Sequence, residues 1–278
     1  MLNIGRFNEL TVLRQLPRGL QLDGGKHGEI LLPKQYITDD MTLGSKVNVF
    51  IYRDSEDRLI ATTQTPLAMV GDFAYLNVVD ESPVGAFLDI GLPRDILVPF
   101  SEQSHKLEKG RKALVRIYLD DSDRLTASTK LDTFLYDTDE TQVYKTGQAV
   151  NIVVGAKTDL GMKVIVDGTY WGLIYHSDIF KPIGRGDKLQ AFIKRVRDDQ
   201  KIEITLEQPG FARVEGLAGD VLEKLKAENG FIPLSDKSQP DDIKKMFHCS
   251  KNSYKQAIGT LYKQRLIRIE KEGIYLVE

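Results

Sequence analysis

The sequence predicts a mostly β protein, with three tandem five-stranded barrels followed by a small α+β domain. Three observations predict it: a repeated cassette, alternation of residue type inside that cassette, and a change of period near residue 210. In the clearest copy of the cassette Leu97-Val98-Pro99 leads to Gly110–Tyr118 and then Asp120–Lys130; in the first, Leu31-Leu32-Pro33 leads to Gly44–Tyr52 and Asp54–Gln64. Pro33 to Gly44 and Pro99 to Gly110 are both eleven residues, and Gly44 to Arg58 and Gly110 to Arg124 are both fourteen. A looser third copy has Tyr175 eleven residues before Gly186 and Lys201 fifteen after it. A repeat this long is one small domain multiplied, too long for most solenoid units.

After Gly110, Ala113, Val115 and Ile117 fall on one side of an extended chain, with Lys112, Leu114, Arg116 and Tyr118 on the other. An acidic turn, Asp120–Asp123, precedes a second alternating run, and two such runs joined by a polar turn make a hairpin. In the first unit (residues 1–64) Leu10–Leu16, Leu20–Leu22 and Gly28–Leu32 are three further short strands, separated by Pro17-Arg18-Gly19 and Asp23-Gly24-Gly25. Thr65-Pro66 begins the second unit (65–133), with strands at 73–80, 85–90, 95–98, 112–119 and 124–130. Residues 131–144 read as a linker or short helix. The third unit (145–208) has strands at 149–155, 162–166, 169–175, 188–196 and 201–206, and Pro209-Gly210 ends it. A five-stranded sheet loses its long free edge only by closing, so each unit is expected to be a barrel of the oligonucleotide-binding (OB-fold) kind.

In the last segment (212–278) Leu217, Val221, Leu222 and Leu225 recur at helical spacing up to Asn229-Gly230, a helix end. Phe231–Leu234 is extended, Pro240–Phe247 a helix with proline at its start, and Ser250 the cap of a third helix, Lys251–Gln264. Leu266–Ile269 and Ile274–Val277 form a closing hairpin. That order is a winged helix-turn-helix domain.

The chain has 278 residues, 41% of them hydrophobic and 28% charged, with net charge −2. The balance excludes a grossly cationic binder while leaving local basic stripes open. A single cysteine, Cys249, excludes a disulfide framework and a thiolate zinc site. No basic region followed by an apolar one opens the chain, and no apolar run is of membrane-spanning length. A soluble cytoplasmic protein without a membrane partner is expected.

Val84-Gly85-Ala86-Phe87-Leu88 and Gly172-Leu-Ile-Tyr-His-Ser-Asp-Ile179 resemble two segments of the ribosomal S1-type RNA-binding domain, and Arg124–Lys130 resembles its last strand. Three such units before a winged helix resemble the conserved virulence factor B family of bacteria, RNA-binding proteins linked to control of gene expression. The resemblance implies that RNA lies on one barrel face, held by aromatics of the second strand, a histidine of the third and a basic residue of the last. The second unit keeps Phe87, with Val84 at the first aromatic position and Pro99 at the histidine. In the third, Tyr175 takes the histidine position with His176 beside it, Lys163 the phenylalanine position, and Lys201 the basic one. The first keeps Arg58 but has Pro33 and no Gly-Ala-Phe, so it is expected to contribute least.

Single-strand binding needs flat faces for bases and cations for the backbone. The third unit offers Lys163, Tyr170, Trp171, Tyr175, His176, Lys194 and Lys201, with Trp171 and Phe192 equally explicable as packing. The second offers Phe87, Arg116, Tyr118 and Arg124, and the winged helix Lys251, Asn252, Tyr254, Lys255, Arg268 and Lys271. The acidic clusters Asp54-Glu56-Asp57, Asp120-Asp121-Asp123 and Asp198-Asp199 fall in repeated turns, which explains them without a metal. With no phosphate-binding Gly-Lys-Ser/Thr loop, nucleophile elbow or histidine ligand spacing, no enzyme, cofactor, metal or small-molecule substrate is expected. The expected partner is single-stranded RNA, uridine-rich strands included, on a basic track over units two, three and the winged helix. The alternatives are a duplex-DNA regulator reading through Lys251–Lys255 and a protein-interaction adaptor on ribosome or polymerase.

Overall fold

Three closed five-stranded barrels and a winged helix, as the cassette and the change of period predict, make up the computed structural model of the chain. It describes residues 2–141, 143–207 and 211–277, the side chains of 211–215 excepted. The chain divides into two compact units, Met1–Phe134 and Leu135–Glu278.

The first unit holds two barrels. Barrel 1 consists of β1 (Phe7–Leu16), β2 (Gly19–Asp23), β3 (Glu29–Pro33), β4 (Lys46–Arg53) and β5 (Leu59–Thr62). Barrel 2 consists of β6 (Phe73–Ser82), β7 (Gly85–Leu88), β8 (Ile96–Pro99), β9 (Lys112–Leu119) and β10 (Leu125–Ser128). In both, the third and fifth strands pair in parallel and the other pairs are antiparallel. The inward rows are the alternating residues of the cassette: Val47, Val49 and Ile51 in barrel 1, Ala113, Val115 and Ile117 in barrel 2, all buried. Phe50 and Tyr52, on the opposite row of β4, are buried in the barrel 2 core cluster rather than in their own. The two barrels therefore share an apolar seam.

The second unit begins with a strap, where a linker or helix was expected. After a short 3-10 turn at Leu131–Thr133, the strap lies along barrel 3, which consists of β11 (Ala149–Lys157), β12 (Gly161–Val166), β13 (Tyr170–Tyr175), β14 (Lys188–Val196) and β15 (Ile202–Thr205). Tyr136 N–H donates to Thr169 O at 3.0 Å and Tyr136 O accepts from Trp171 N–H at 2.8 Å. Asp139 is fully buried and accepts from the amides of Val143 and Tyr144, both at 2.9 Å. Tyr144 then enters the barrel 3 core. A segment fixed by one bridge and one buried carboxylate has no period to read.

The constant spacings have a mechanical cause. Gly44, Gly110 and Gly186 each donate a backbone N–H to a first-strand valine, Val12, Val78 and Val154, at 2.9, 2.9 and 2.8 Å. At those valines the first strand is bulged in all three barrels. The one-residue excess before Lys201 is a further bulge in β14, between Ile193 and Arg195. Each hairpin closes through a residue in left-handed conformation, Asp57, Asp123 or Gln200. The acidic residues there are turn formers: Asp54 Oδ1 accepts from the amides of Glu56 and Arg58 at 2.8 and 3.0 Å, and Asp120 Oδ1 from those of Ser122 and Arg124 at the same distances.

The winged helix comprises α1 (Phe211–Ala227), β16 (Phe231–Ile232), α2 (Pro240–Phe247), α3 (Lys251–Lys263), β17 (Ile267–Ile269) and β18 (Ile274–Leu276), the strands in the order β16-β18-β17. Val221 and Leu225 of α1, Ile243 of α2 and Ile258 and Leu261 of α3 meet Ile232 and Ile274 in its core. Ser250 caps α3 by accepting from Ser253 N–H at 3.1 Å. Pro209-Gly210, the predicted end of the third unit, lies outside the described residues.

Candidate nucleic-acid interface

In every barrel the second, third and fifth strands build the same outward face. The second strand opens on a glycine, Gly19, Gly85 or Gly161, directly opposite Pro33, Pro99 or Tyr175. Each has φ near +155°, and a Cβ there would fall 2.0, 2.2 or 1.9 Å from a third-strand carbonyl oxygen. Only glycine fits so close an approach. Two residues on stand Gln21, Phe87 and Lys163, opposite Leu31, Leu97 and Leu173. The hairpin residue aligned by the cassette, Arg58, Arg124 or Lys201, completes a groove of about 490 Å³ on barrel 1, 210 Å³ on barrel 2 and 450 Å³ on barrel 3. Barrel 1 thus has its counterpart of Gly-Ala-Phe, Gly19-Leu20-Gln21, which sequence reading missed because only the glycine is shared.

On barrel 3, Lys163, Trp171, Leu173 and Lys201 line the groove, with exposed Leu160 at its lip. The Lys163 ammonium lies 4.0 Å from the centre of the Trp171 ring, and Trp171 is only 8% exposed. Trp171 is therefore on the expected face but roofed. Tyr175 follows on the same row; its hydroxyl is 3.5 Å from Glu203 Oε1. Glu203 is buried and held by two 2.8 Å bonds from Arg195, which keep its carboxyl below the usual range against the opposing effect of burial. Tyr170 does not join this face. Alternation turns it the other way, into a cluster with Tyr136 and Tyr144 at ring distances of 5.8 and 5.5 Å. Lys194 is paired with Asp178 at 2.8 Å, and His176 is exposed, its amide bonded to Leu160 O at 3.1 Å.

On barrel 2 the expected set divides. Phe87 and Arg124 line the groove with Tyr52, Arg53 and Asp54 of barrel 1. Arg124 donates through Nε to Asp57 Oδ1 at 2.7 Å and through Nη2 to Asp57 Oδ2, and Arg53 is 3.5 Å from Asp123. The two equivalent hairpins so exchange ion pairs across the seam, and Arg124 holds Asp57 below its ordinary pKa. Arg116 and Tyr118 instead gather round Phe134: the Arg116 guanidinium lies 4.7 Å from the Phe73 ring and 5.9 Å from Phe134, and Tyr118 packs on Phe134 at 5.8 Å. Val84, expected at the first aromatic position, is 59% exposed and its carbonyl accepts from Phe100 N–H; sequence reading missed Phe100, itself 54% exposed. The signal was Phe100 directly after Pro99, where barrel 3 has His176.

In the winged helix Asn252, Lys255, Arg268 and Lys271 are exposed, Arg268 being 3.3 Å from Glu270, and Lys251 is half-buried with its ammonium 3.4 Å from Lys237 O. Tyr254 is a correction. It is fully buried, stacked on Phe247 at 5.2 Å and donating to Leu234 O at 3.0 Å, and burial pushes its phenol pKa up. The α3 amphipathic period puts it on the core face with Ala257, Ile258 and Leu261. The N-terminus of α3 already holds an anion: Glu207, just beyond β15, accepts from Ser250 N–H and Ser253 Oγ, both at 3.2 Å.

Among the described residues no group of three His, Cys, Asp or Glu side chains could hold a metal ion, and no helix is long and apolar enough to cross a membrane.

Known proteins share these features. A family model described as S1 domain matches residues 4–64 and 70–130, and one described as CvfB-like winged helix domain matches 219–276. The Bacillus subtilis protein YitL, itself uncharacterized, is 28% identical over 98% of this chain and 93% of its own length. Conserved virulence factor B of Staphylococcus saprophyticus is 24% identical over 99% of this chain and 95% of its own, and that of Staphylococcus epidermidis 26% over 86% and 83%. A crystal structure of a multidomain protein with nucleic acid binding domains from Streptococcus pneumoniae aligns with 99% of this chain and 98% of its own at 25% identity, with a TM-score of 0.41. S1 and winged-helix domains point to nucleic-acid binding. The chain thus carries S1 domains and a CvfB-like winged helix domain, and its homologues named conserved virulence factor B match it along most of its length.

Proposed function

We propose that the chain is a non-enzymatic RNA-binding protein that holds single-stranded, uridine-rich RNA on the strand faces of barrels 2 and 3 and on the winged helix, and so contributes to post-transcriptional control of expression in the cytoplasm. The observation that carries this reading is the barrel 3 groove. It joins an apolar lining, Trp171 and Leu173 with Leu160 at the lip, to two cations, Lys163 and Lys201, beside the outward ring of Tyr175. Bases need such faces and phosphates such cations. On barrel 2, Phe87 and the exposed Phe100 supply the faces; RNA takes up Arg124 by displacing Asp57. Asn252, Lys255, Arg268 and Lys271 of the winged helix supply backbone contacts.

The duplex-DNA reading has less support, because Glu207 fills the α3 N-terminus that a recognition helix presents to its target. Competition on the full chain separates the two. Unlabelled single-stranded RNA displaces a labelled uridine-rich strand at concentrations at which duplex DNA does not; the reverse order overturns the proposal.

A further inference from the structure

We propose that barrel 1, which sequence ranks last as a binder, carries a nucleotide site of different chemistry, one that reads a base edge by hydrogen bonding instead of stacking on its face. Two buried side-chain atoms among the described residues lack a hydrogen-bond partner, Gln21 Oε1 and Arg53 Nε, and both residues line the barrel 1 groove. One is an acceptor and the other a donor. Buried groups of this kind are nearly always paired, so two orphans lining one groove, on strands β2 and β4 with Leu31 and Ile60 between them, mark where a ligand completes the bonding. The complement is a group presenting a donor beside an acceptor, as the Watson–Crick and Hoogsteen edges of a nucleobase do.

The rest of the groove agrees. Leu31 and Ile60, paired in register on β3 and β5, give the base an apolar floor. The acidic lining residues are neutralised within the barrel, Glu29 by Arg14 at 2.6 Å and Asp54 by Arg58 at 2.7 Å. Arg18 and His27, both exposed, face the groove and make no side-chain hydrogen bond or ion pair among the described residues, so Arg18 is the cation for the phosphate. The Arg53 guanidinium is fixed through its other nitrogens, Nη1 donating to Asp57 O at 2.6 Å and Nη2 lying 3.5 Å from Asp123, which leaves Nε as the nitrogen without a partner. Gln21 sits where barrel 2 has Phe87 and barrel 3 has Lys163, so the three grooves divide the work among edge, face and phosphate.

The site rests on the reading that the chain binds RNA, and the test separates the two. Full-length chain carrying 15N-labelled arginine is titrated with the four nucleoside monophosphates and, in a second arm, with uridine- and adenine-rich hexanucleotides, following the Arg53 Nε–H resonance. A shift that differs between bases is expected, with monophosphates sufficing if the ligand is a free nucleotide and only the strands acting if it is RNA. Gln21→Leu removes the orphan acceptor, so it keeps or raises the melting temperature while weakening the preferred ligand by about tenfold and levelling the bases. If the chain binds the hexanucleotides while the Arg53 resonance stays still and Gln21→Leu binds like the parent, the barrel 1 site is wrong and the RNA reading stands. If no strand binds the parent chain at all, both fall.

Discussion

Lys163→Ala sets two effects against each other on barrel 3. In the free protein the ammonium sits 4.0 Å over the Trp171 ring, with the lysine side chain 36% exposed and the tryptophan 8%. A cation–π contact that is a third exposed contributes about 0.5–1 kcal/mol, so the variant loses about that much stability. For RNA the substitution removes one phosphate contact, reducing the magnitude of the slope of log K against log salt by about 0.7. Between about 0.05 and 0.5 M salt that contact weakens by a factor of about five. The same substitution unroofs an indole, and a stacked base is worth about 1–3 kcal/mol, roughly five- to 150-fold. The face therefore wins at high salt. The variant binds uridine-rich RNA with a shallower slope and, near 0.5 M, at least as tightly as the parent. Trp171 is the sole tryptophan, so its emission reports the site directly; Lys163→Ala red-shifts it, and RNA then shifts it back. An unmoved emission together with an unchanged salt slope would refute the placement of both residues on the binding face.

Phe50→Ala opens the seam between barrels 1 and 2, and with Phe50 fully buried among barrel 2 residues the cost is about 3–5 kcal/mol, read by urea unfolding. Tyr254→Phe leaves Leu234 O without its donor and destabilises by about 1–3 kcal/mol, with RNA affinity unchanged because the ring never reaches the surface. The hydrogen bonds from Arg195 hold the folded-state pKa of Glu203 below the ordinary glutamate value, so the pair stabilises the fold above that ordinary value and is lost as pH falls through the lower folded one. Thermal melts from pH 6 down to 3 should show the loss, and Arg195→Met should flatten it.

The sequence carried the fold because each barrel repeats a mechanical part: a valine bulge held by a glycine, an acidic turn closed by a left-handed residue, and an alternating hairpin between them. The strap that opens the second unit escaped because a single buried carboxylate, Asp139, and a single bridge at Tyr136 leave no pattern. The site was half legible. Lys163, Trp171, Tyr175 and Lys201 share one face because register follows from spacing, whereas the adjacent Tyr170 points away by the same alternation. What spacing does not encode is who else touches the face: that Asp57 of barrel 1 claims Arg124, and that Phe134 gathers Arg116 and Tyr118. Tyr254 was misplaced because a helix-start tyrosine beside lysines suits both a binding helix and a core anchor, and only the Leu234 carbonyl decides.

The most direct measurement is the salt dependence of uridine-rich single-stranded RNA binding to the full chain and to Tyr175→Ala/Lys201→Ala, by fluorescence anisotropy. Losing one stacking ring and one phosphate contact should weaken binding about five- to 150-fold from the ring alone and reduce the salt slope by about 0.7. Equal affinity and equal slope for the two proteins would contradict RNA binding on the barrel 3 face.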